Sequence, residues 1–370
     1  MIRWCWTACF RSRGSASART PERVPMPFND NGREPSMHKS LLTAAAIAAL
    51  SLTSSASAQE RLKFAVFTPE AEMTHQVVMK PWAERVSKES GGTLDIQTFP
   101  NGALGRNPGL QSKMLQDGVA DIAWVIPSYT PGVYLDDDVF ELPNIIQNSV
   151  EGSLSAWHLL QKGMLRGYDQ YYMIGLFTSS PYTFHTNFPV RKAEDLKGKK
   201  IRAVGAISTE SVKALGAVPE GMPFPQLPEA ISRGVIDGTT GHPIAVYDFG
   251  VSRVTNSHYL GKIGAVTLGI FMNKAKFDSL PPAAKAAIEK NRGEALSRAF
   301  GKMSEDRNDE LIAEWQKDPK RLVTVPTKEQ TAEWDKTLEP VVVQWEAKDA
   351  RNKALLDAMQ QDLAASRANR

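Results

Sequence analysis

The sequence predicts an α/β protein built from two similar lobes. Strands and helices alternate along the chain, and a short motif recurs as DGVAD at 117–121 and RGVID at 233–237. The helical pattern at 281–317 is long enough to span both lobes, since it would form a helix on the order of 50 Å at 1.5 Å per residue. A chain of 370 residues can supply two such lobes with separate cores.

The first elements are strand, helix and strand. Apolar residues alternate over 62–67 and predict a strand that ends at a proline-containing turn. A helix is expected over about residues 74–90, with Thr74 as its cap and Pro81 as a kink that does not end it. Alternation returns over 94–98 and predicts the second strand.

The recurring motif belongs to a helix–strand unit in each half of the chain. Residues 108–116 predict a helix that Gly118 ends, and residues 119–125 form an apolar strand of the kind buried in parallel sheets. The matching unit has a helix over 229–233 and a strand over 235–238. The two strings are too short to establish a duplication, but they suggest one plan for both lobes.

Two further segments complete the expected fold. Residues 200–204 predict a strand that leads into a helix over about 208–216. The pattern over 281–317 is helical throughout, with Gly293 and Gly301 as its weak points. This long helix is the element expected to connect the two lobes.

Residues 37–58 have the pattern of a cleaved secretory leader. A basic start at His38-Lys39 precedes an apolar run at 41–50, and small residues end in Ala56-Ser57-Ala58. The apolar run has about half the length that a membrane-spanning helix needs. We expect cleavage after Ala58, so that residues 1–58, an upstream extension plus the leader, are absent from the exported protein.

Charge and cysteine content of the mature chain argue against two classes of protein. Seven of the 44 Lys and Arg and three of the 41 Asp and Glu lie in residues 1–58, which leaves 37 cationic and 38 anionic side chains. No basic stripe interleaved with aromatic residues remains, so no nucleic-acid partner is expected. The chain's two cysteines, Cys5 and Cys9, are removed with the leader, and no disulfide is expected.

Signatures of the common enzyme classes are missing from the sequence. It contains no G-x-S-x-G, no Walker A motif, no G-x-G-x-x-G and no H-E-x-x-H. The Asp136-Asp137-Asp138 run lacks the glycine and the distal glutamate of a calcium loop. The mature histidines show no metal-ligand spacing: His75, His158, His185, His242 and His258. We therefore expect no metal, no cofactor and no catalysis.

Seven short motifs follow one another in an order typical of a known family. They are FPNGALG (99–105), LQDGVADIA (115–123), ELP (141–143), DLKGKKIR (195–202), LGAVPEGMPF (215–224), RGVIDG (233–238) and MNKAKFDSLP (272–281). On these motifs the chain from about 60 to 350 resembles the DctP-like periplasmic solute-binding subunits of tripartite ATP-independent periplasmic (TRAP) transporters.

The resemblance implies a two-lobed fold like that of periplasmic binding proteins, with a ligand cleft between the lobes and a long helix crossing both. We expect lobe I to contain residues 59–183 and 275–300, and lobe II to contain 184–274 and 301–370. The resemblance further implies a periplasmic protein, expected to be a monomer, that captures a small organic acid and delivers it to TRAP membrane subunits.

The same resemblance implies that Arg202 forms a salt bridge with the ligand carboxylate. Its guanidinium is a planar fork that matches a carboxylate with two hydrogen bonds. Without the motif, a surface or inter-strand ion pair is the simpler role for this arginine. Phe224 is the aromatic residue implied to wall the ligand from the second lobe, and its alternative is an ordinary core phenylalanine.

Further ligand-binding candidates are aromatic residues and histidines. Trp124 ends an apolar strand, where α/β sheets present their ligand sites, and its alternative is a place in mid-core. Tyr129, Phe184 and Tyr247 are weaker candidates of the same kind, and His75 is a polar candidate.

Two departures from the family pattern narrow the expected ligand. Phe188-Pro189 stands where members that bind sialic acids or dicarboxylates carry a second basic residue. His242 follows the strand where many members have a ligand-binding asparagine, and it serves either as a substitute or as a structural histidine. One arginine without a second clamp favours a keto, hydroxy or aromatic monocarboxylate.

Three alternative functions stay open at this point. The same fold can serve as the ligand-sensing partner of a membrane signalling receptor. A secreted hydrolase or lyase would use His75 or His242 together with an aspartate. A structural or adhesion protein would have no saturable site for a small molecule.

Overall fold

The computed structural model of the protein describes residues 59–368. The predicted leader, its cleavage after Ala58 and both cysteines lie outside these residues. Within the described range, no helix combines the length and the apolar character needed to cross a lipid bilayer. The described residues nearly coincide with the part of the chain that we expect in the mature protein.

Strands and helices alternate through most of the described chain. The strands are β1 Glu60–Ala65, β2 Leu94–Phe99, β3 Ile122–Val125, β4 Tyr171–Thr178, β5 Thr183–Thr186, β6 Lys200–Ala203, β7 Val218–Gly221, β8 Gly238–Gly241, β9 Ser257–Tyr259, β10 Thr267–Asn273 and β11 Leu322–Thr324. The α-helices are α1 Lys80–Glu89, α2 Gln111–Gln116, α3 Asp138–Glu141, α4 Ser149–Gln161, α5 Ala206–Ala214, α6 Leu227–Ser232, α7 Pro243–Asp248, α8 Lys274–Ser279, α9 Pro282–Lys290, α10 Glu294–Lys317, α11 Lys328–Lys348 and α12 Ala350–Ala368.

The first sheet has five strands in the order β2-β1-β3-β10-β4. Strand β1 runs parallel to β2 and β3, whereas β10 runs antiparallel to β3 and β4. Leu62 and Phe64 of β1 are completely buried, and the Phe64 ring meets the Trp82 ring of α1 edge-on at 6.1 Å. The predicted apolar face of α1 therefore packs against this sheet.

The second sheet has six strands in the order β11-β9-β5-β8-β6-β7. Strand β6 runs parallel to β7 and β8, β5 runs antiparallel to β8 and β9, and β11 runs parallel to β9. Each sheet is the centre of one lobe. The predicted two-lobed α/β fold is thus confirmed.

Two short segments carry the chain between the sheets, one at 179–182 and one at 260–266, and a third crossing runs from β10 through α8, α9 and α10 to β11. The two short segments run beside each other. The Tyr182 N–H donates to the Gly264 carbonyl at 3.0 Å, and the Ile263 N–H donates to the Tyr182 carbonyl at 3.0 Å. Backbone hydrogen bonds therefore join the two short crossings.

The recurring motif has the same structural role in both sheets. The Asp121 N–H donates to the Lys63 carbonyl at 3.0 Å, and its carboxylate accepts from the Lys63 N–H at 2.8 Å. Asp237 makes the same two bonds with Lys200, both at 2.8 Å. Each aspartate therefore fixes the register of a parallel strand pair, β1 with β3 and β6 with β8.

The strands after the two motifs begin later than predicted, at Ile122 and Gly238. Val119 and Val235 were expected inside these strands, but both are exposed. Each valine follows a glycine in the left-handed region, Gly118 with a φ of 70° and Gly234 with a φ of 69°. The N–H of each valine donates to a carbonyl of the preceding helix. This αL turn ends the helix, so the apolar valine cannot yet belong to the strand.

Helix α1 begins differently from the prediction. A π-helical turn, His75–Met79, precedes it, and the Thr74 side chain makes no capping hydrogen bond. Pro81 lacks an N–H and cannot donate to the carbonyl four residues before it, so the wider turn lies where that bond would be missing. The helix continues through Pro81, as predicted.

The predicted helix over 281–317 is wrong as a single element. It is broken into α9 and α10 at Gly293, whose φ of 86° lies outside the helical region. The Gly293 N–H donates instead to the Ile174 carbonyl of β4 at 2.9 Å. Helix α10 keeps 24 residues, about 36 Å. It packs on α4 and β4 at the first sheet and on α7 and β11 at the second, so it does span both lobes.

The expected lobe boundaries differ from the sheet membership in two places. Strand β10 lies in the first sheet, so residues 267–273 belong with lobe I and not with lobe II as expected. Helix α12 packs on α4 beside the first sheet, where the His158 Nδ1 atom lies 2.9 Å from an Asp362 oxygen. Sequence order alone could not place these elements, because in both cases the chain returns to the first lobe after it has already entered the second.

Candidate functional site

A cavity lies between the two sheets, beside the carboxyl ends of β1 and β3. Its volume is about 40 Å³, far smaller than that of an open small-molecule site. Its wall is largely aromatic and aliphatic with a few polar groups: Phe67, Thr68, Glu72, Thr74, Trp124, Ile126, Tyr129, Tyr182, Phe224, His242, Ile244, Ala245, Phe249, Leu268, Phe300 and Ser304. Among residues 59–368, no lysine or arginine belongs to this wall.

Arg202 lies directly behind this wall and is completely buried. Its Nε donates to the Met222 carbonyl at 2.9 Å, its Nη1 to the Thr240 carbonyl at 3.4 Å and its Nη2 to the Tyr129 hydroxyl at 3.1 Å. Among residues 59–368, no carboxylate forms an ion pair with it. A buried cation without a counter-charge is unfavourable, and an anionic ligand would relieve it.

Three aromatic residues predicted from the sequence line the cavity, namely Trp124, Tyr129 and Phe224. The Phe224 ring lies under the Arg202 guanidinium at 4.8 Å, a cation–π distance. Trp124 packs beside the rings of Phe177 and Phe300 at 6.0 and 6.1 Å. Phe300 belongs to the cavity wall together with Phe224 and Trp124.

The hydroxyl group of Tyr129 connects the two lobes. Tyr129 follows β3 of the first sheet, and its oxygen accepts from Arg202 Nη2 and from the Phe224 N–H at 3.2 Å, both in the second lobe. The same residue also lines a larger outer hollow between segments 127–141 and 203–223. Tyr129 therefore separates the inner cavity from the outer hollow.

His242 lines the cavity, as its candidacy from the sequence required. Burial lowers its pKa to about 4, with a hydrogen bond to Asn308 opposing the shift. The ring stacks on Tyr182 at 5.9 Å, and its Nδ1 is buried without a hydrogen-bond partner among the described residues. A neutral imidazole with one free nitrogen can bind a polar group of a ligand.

His75 lies behind the wall, where its Nδ1 is 2.9 Å from the Glu70 carbonyl. Within residues 59–368, neither its ring nor that of His242 hydrogen-bonds an aspartate. The histidine–aspartate pair that a hydrolase or lyase would use is not assembled in this part of the chain.

Two predicted candidates lie away from the cavity. Phe184, in the centre of β5, is fully buried against Trp334 of α11, with the rings edge-on at 5.4 Å. Tyr247 is 47% exposed on the outer side of α7, under the guanidinium of Arg307 at 5.3 Å. Phe184 is a core residue and Tyr247 a surface residue, because the side chains of their elements point away from the cleft at these positions.

Polar residues that the sequence did not identify as ligand-binding candidates also line the cavity. Glu72, Thr74 and Ser304 face it from the loop after β1 and from α10, and Tyr182 comes from a crossing segment. Burial raises the pKa of Glu72 to about 7, although hydrogen bonds from Thr74 and His75 oppose the shift. None of these residues belongs to a spaced motif, so only their burial in the fold identifies them.

Glu141 is a buried carboxyl group between the lobes. Its Oε1 accepts from the Ser128 hydroxyl at 2.5 Å, and its Oε2 accepts from the Ser208 N–H of α5 at 3.4 Å. Burial raises its pKa to about 8, with the Ser128 bond opposing and the neighbouring Asp138 charge adding to the shift. This carboxyl therefore prefers its neutral form in the folded protein.

We expect Glu141→Gln to flatten the pH dependence of stability. The folded pKa lies above the unfolded value of 4.5, so the stabilisation is fully present below pH 4.5 and is lost as the pH rises through about 8. Relative to the native chain, the variant should gain more than about 1.4 kcal/mol in unfolding free energy between roughly pH 5 and pH 8.5. Urea unfolding at both pH values measures this gain.

Glu333→Gln, at an exposed position, is the matched control and should show no such gain. Parallel curves for Glu141→Gln and the native chain would mean that Glu141 ionises freely in the folded protein.

The chain is similar in sequence to a known protein family and to individual members of known function. The profile of the bacterial extracellular solute-binding protein family 7 (DctP) matches residues 64–349. The "Outer membrane transporter protein TsaT" of Comamonas testosteroni is 26% identical over 267 residues, which are 70% of this chain and 78% of that protein.

Two solved structures share the fold. A TRAP solute-binding protein from Rhodoferax ferrireducens, in complex with copurified benzoate, superposes with a TM-score of 0.78 at 29% identity, over 84% of this chain and 100% of that one. A marine metagenome TRAP solute-binding protein specific for aromatic acid ligands, with co-crystallised 3-hydroxybenzoate, superposes with a TM-score of 0.79 at 26% identity, over 84% and 99%. The resemblance drawn from the seven motifs is confirmed: the chain belongs to the bacterial extracellular solute-binding protein family 7.

Proposed function

We propose that this protein captures a small organic monocarboxylate with an aromatic or apolar body and delivers it to a TRAP membrane permease. The observation that carries the proposal is Arg202, a completely buried guanidinium with no carboxylate partner among the described residues, held against an aromatic cavity. A ligand carboxylate would supply the missing counter-charge.

The roles of the site residues follow from their positions. Arg202 binds the carboxylate, and Phe224 and Trp124 contact the two faces of the ligand body. The Tyr129 hydroxyl accepts a hydrogen bond from Arg202 Nη2, and the ligand carboxylate takes over this hydrogen bond when it binds. His242 offers its free Nδ1 to a polar substituent.

The lining of the cavity supports a monocarboxylate over a dicarboxylate. A second carboxylate would need a second cation. Arg202 contacts the lining residues Tyr129 and Phe224 from behind, and no lysine or arginine of residues 59–368 belongs to the wall itself. The aromatic wall agrees with the ligands of the two similar structures, which are benzoate in one and 3-hydroxybenzoate in the other. Those ligands belong to those proteins, and here they support an aromatic acid as the ligand class.

Capture and delivery require the two lobes to close on the ligand without chemical conversion. The cavity wall is drawn from both sheets and from the crossing residue Tyr182, so a bound ligand would hold the lobes together. We propose that the protein works as a periplasmic monomer after loss of residues 1–58, and that the closed form is the one the permease recognises.

A thermal-shift screen of the purified protein tests this function. The panel contains benzoate, phenylacetate, a 2-oxo acid and succinate, with benzamide as the uncharged match for benzoate. At about 100 times its dissociation constant, a true ligand should stabilise the fold by about 2.7 kcal/mol. We expect an aryl monocarboxylate to do so and benzamide to have no effect. No shift with any acid, or an equal shift with benzamide, would contradict carboxylate capture.

A further inference from the structure

Glu72 gives the cavity a carboxyl group that the proposed function does not use. It lines the cavity and is only 6% exposed. Its partners are neutral donors: the His75 N–H bonds to Oε2 at 2.8 Å, the Thr68 hydroxyl bonds to the same oxygen at 3.4 Å, and Thr74 bonds to the carboxyl group. No cation of the described chain forms an ion pair with it.

The surroundings of Glu72 disfavour its charged form. The Asp248 carboxylate lies close by and accepts from the N–H of Met73, the residue next to Glu72, at 3.0 Å. Burial, together with this second carboxylate, raises the pKa of Glu72 to about 7. A carboxyl group held by neutral donors near another acid is a strong hydrogen-bond acceptor but a poor place for a further anion.

The cavity therefore has a carboxyl group in its wall and a guanidinium behind its wall that are not paired with each other. Arg202 bonds only neutral oxygens and Glu72 only neutral donors, and the two side chains form no ion pair. Apolar side chains such as Trp124, Phe300 and Leu268 line the space together with Glu72. A matching ligand carries an anionic group for Arg202 and a hydrogen-bond donor for Glu72.

We propose that Glu72 selects ligands bearing a hydroxyl donor, so that hydroxylated aryl monocarboxylates are the preferred substrate class of this site. The inference rests on the proposed function, because it assumes that Arg202 binds the carboxylate. A phenolic O–H donates to the Glu72 carboxyl, which replaces the hydrogen bond the hydroxyl loses on leaving water. A second carboxylate on the ring would instead meet Glu72 and Asp248 with no cation to offset them.

Isothermal titration with a matched set of benzoates tests this selection. The set contains benzoate, the three hydroxybenzoates, 3-methoxybenzoate, which has an oxygen but no donor, and isophthalate, which has a second carboxylate. We expect one hydroxybenzoate to bind about tenfold or more tighter than benzoate, because the site rewards a donor it can satisfy. Methoxybenzoate should show no such gain, and isophthalate should bind at least about a hundredfold more weakly than benzoate.

Variants at position 72 separate selection from folding. Glu72→Leu removes the acceptor at similar size and should lose the hydroxyl preference, so that its affinities for benzoate and for the hydroxybenzoates lie within about threefold of each other. Glu72→Gln removes the charge and should bind isophthalate more tightly than the native chain does. Glu70→Gln, on the exposed part of the same loop, is the control and should retain the native order of affinities.

The outcomes distinguish this inference from the proposed function. If neither a benzoate nor any acid of the thermal-shift panel binds the native protein, the carboxylate-capture function fails. If an acid binds but the hydroxybenzoates bind no tighter than benzoate, or if Glu72→Leu keeps the preference, the role of Glu72 is overturned while carboxylate capture stands. A cooperative urea transition of both position-72 variants shows that they are folded.

Discussion

Replacing Arg202 with methionine is expected to weaken binding of an aryl carboxylate by roughly 2–5 kcal/mol, about 30-fold to several thousandfold. The variant leaves the ligand carboxylate buried without a cationic partner, because the remaining groups near it are the Tyr129 and Tyr182 hydroxyls and backbone carbonyls. Titration of the native protein and the variant with benzoate or its best hydroxylated analogue measures the loss.

Arg233→Met is the matched control for this change. Arg233 directly follows α6, its side chain is 73% exposed, and it pairs with the exposed Glu229, so its removal should leave affinity unchanged. Equal binding by Arg202→Met and the native protein would mean that this arginine serves the structure and not the ligand.

Stability of the empty protein separates these two roles. If Arg202 were a structural ion pair, its loss would leave a buried acid without a partner and cost about 3–5 kcal/mol. In this fold it has no acidic partner among the described residues, and methionine removes an uncompensated buried charge at similar length. We expect the unfolding free energy of the ligand-free variant to change by less than about 2 kcal/mol, since the groups that lose a donor, such as the Met222 and Thr240 carbonyls and the Tyr129 hydroxyl, are neutral.

Replacing Gly264 with alanine is expected to have the largest effect on stability. A Cβ atom at this position would lie 1.8 Å from the carbonyl oxygen of Glu141 and 2.0 Å from its carbonyl carbon. Both are backbone atoms. The two segments cannot move apart easily, because the Ala265 N–H donates to the Phe140 carbonyl at 2.9 Å. We expect a loss of at least about 3 kcal/mol in unfolding free energy.

Urea unfolding of the ligand-free protein measures this loss, and Gly221→Ala is its control. An alanine at 221 meets no atom within 4 Å, and we expect its effect to stay within about 0.5 kcal/mol. Native-like stability of Gly264→Ala would show that the crossing segment can shift away from Glu141. Because the crossing joins the two lobes, a shift of that kind would also appear as a change in ligand affinity.

Local sequence patterns were sufficient for the fold class and for part of the site. Strand β6 and its terminal arginine could be identified from the KIR segment, and the cavity contains Trp124, Tyr129, Phe224 and His242 from the predicted set. The alternation of apolar residues and the order of motifs reveal such features, because each strand and each motif is formed by neighbouring residues of one chain segment. The role of each of these residues in binding stays a prediction.

The sequence by itself determined the alternating elements, the family and the position of Arg202. The tertiary structure alone decided that this arginine has no acidic partner, that Glu72 lines the cavity and that Phe184 does not. It also decided that β10 returns to the first sheet. The burial of a side chain and the lack of a counter-charge near it depend on atoms that distant segments contribute. A pattern within one segment therefore cannot predict either property.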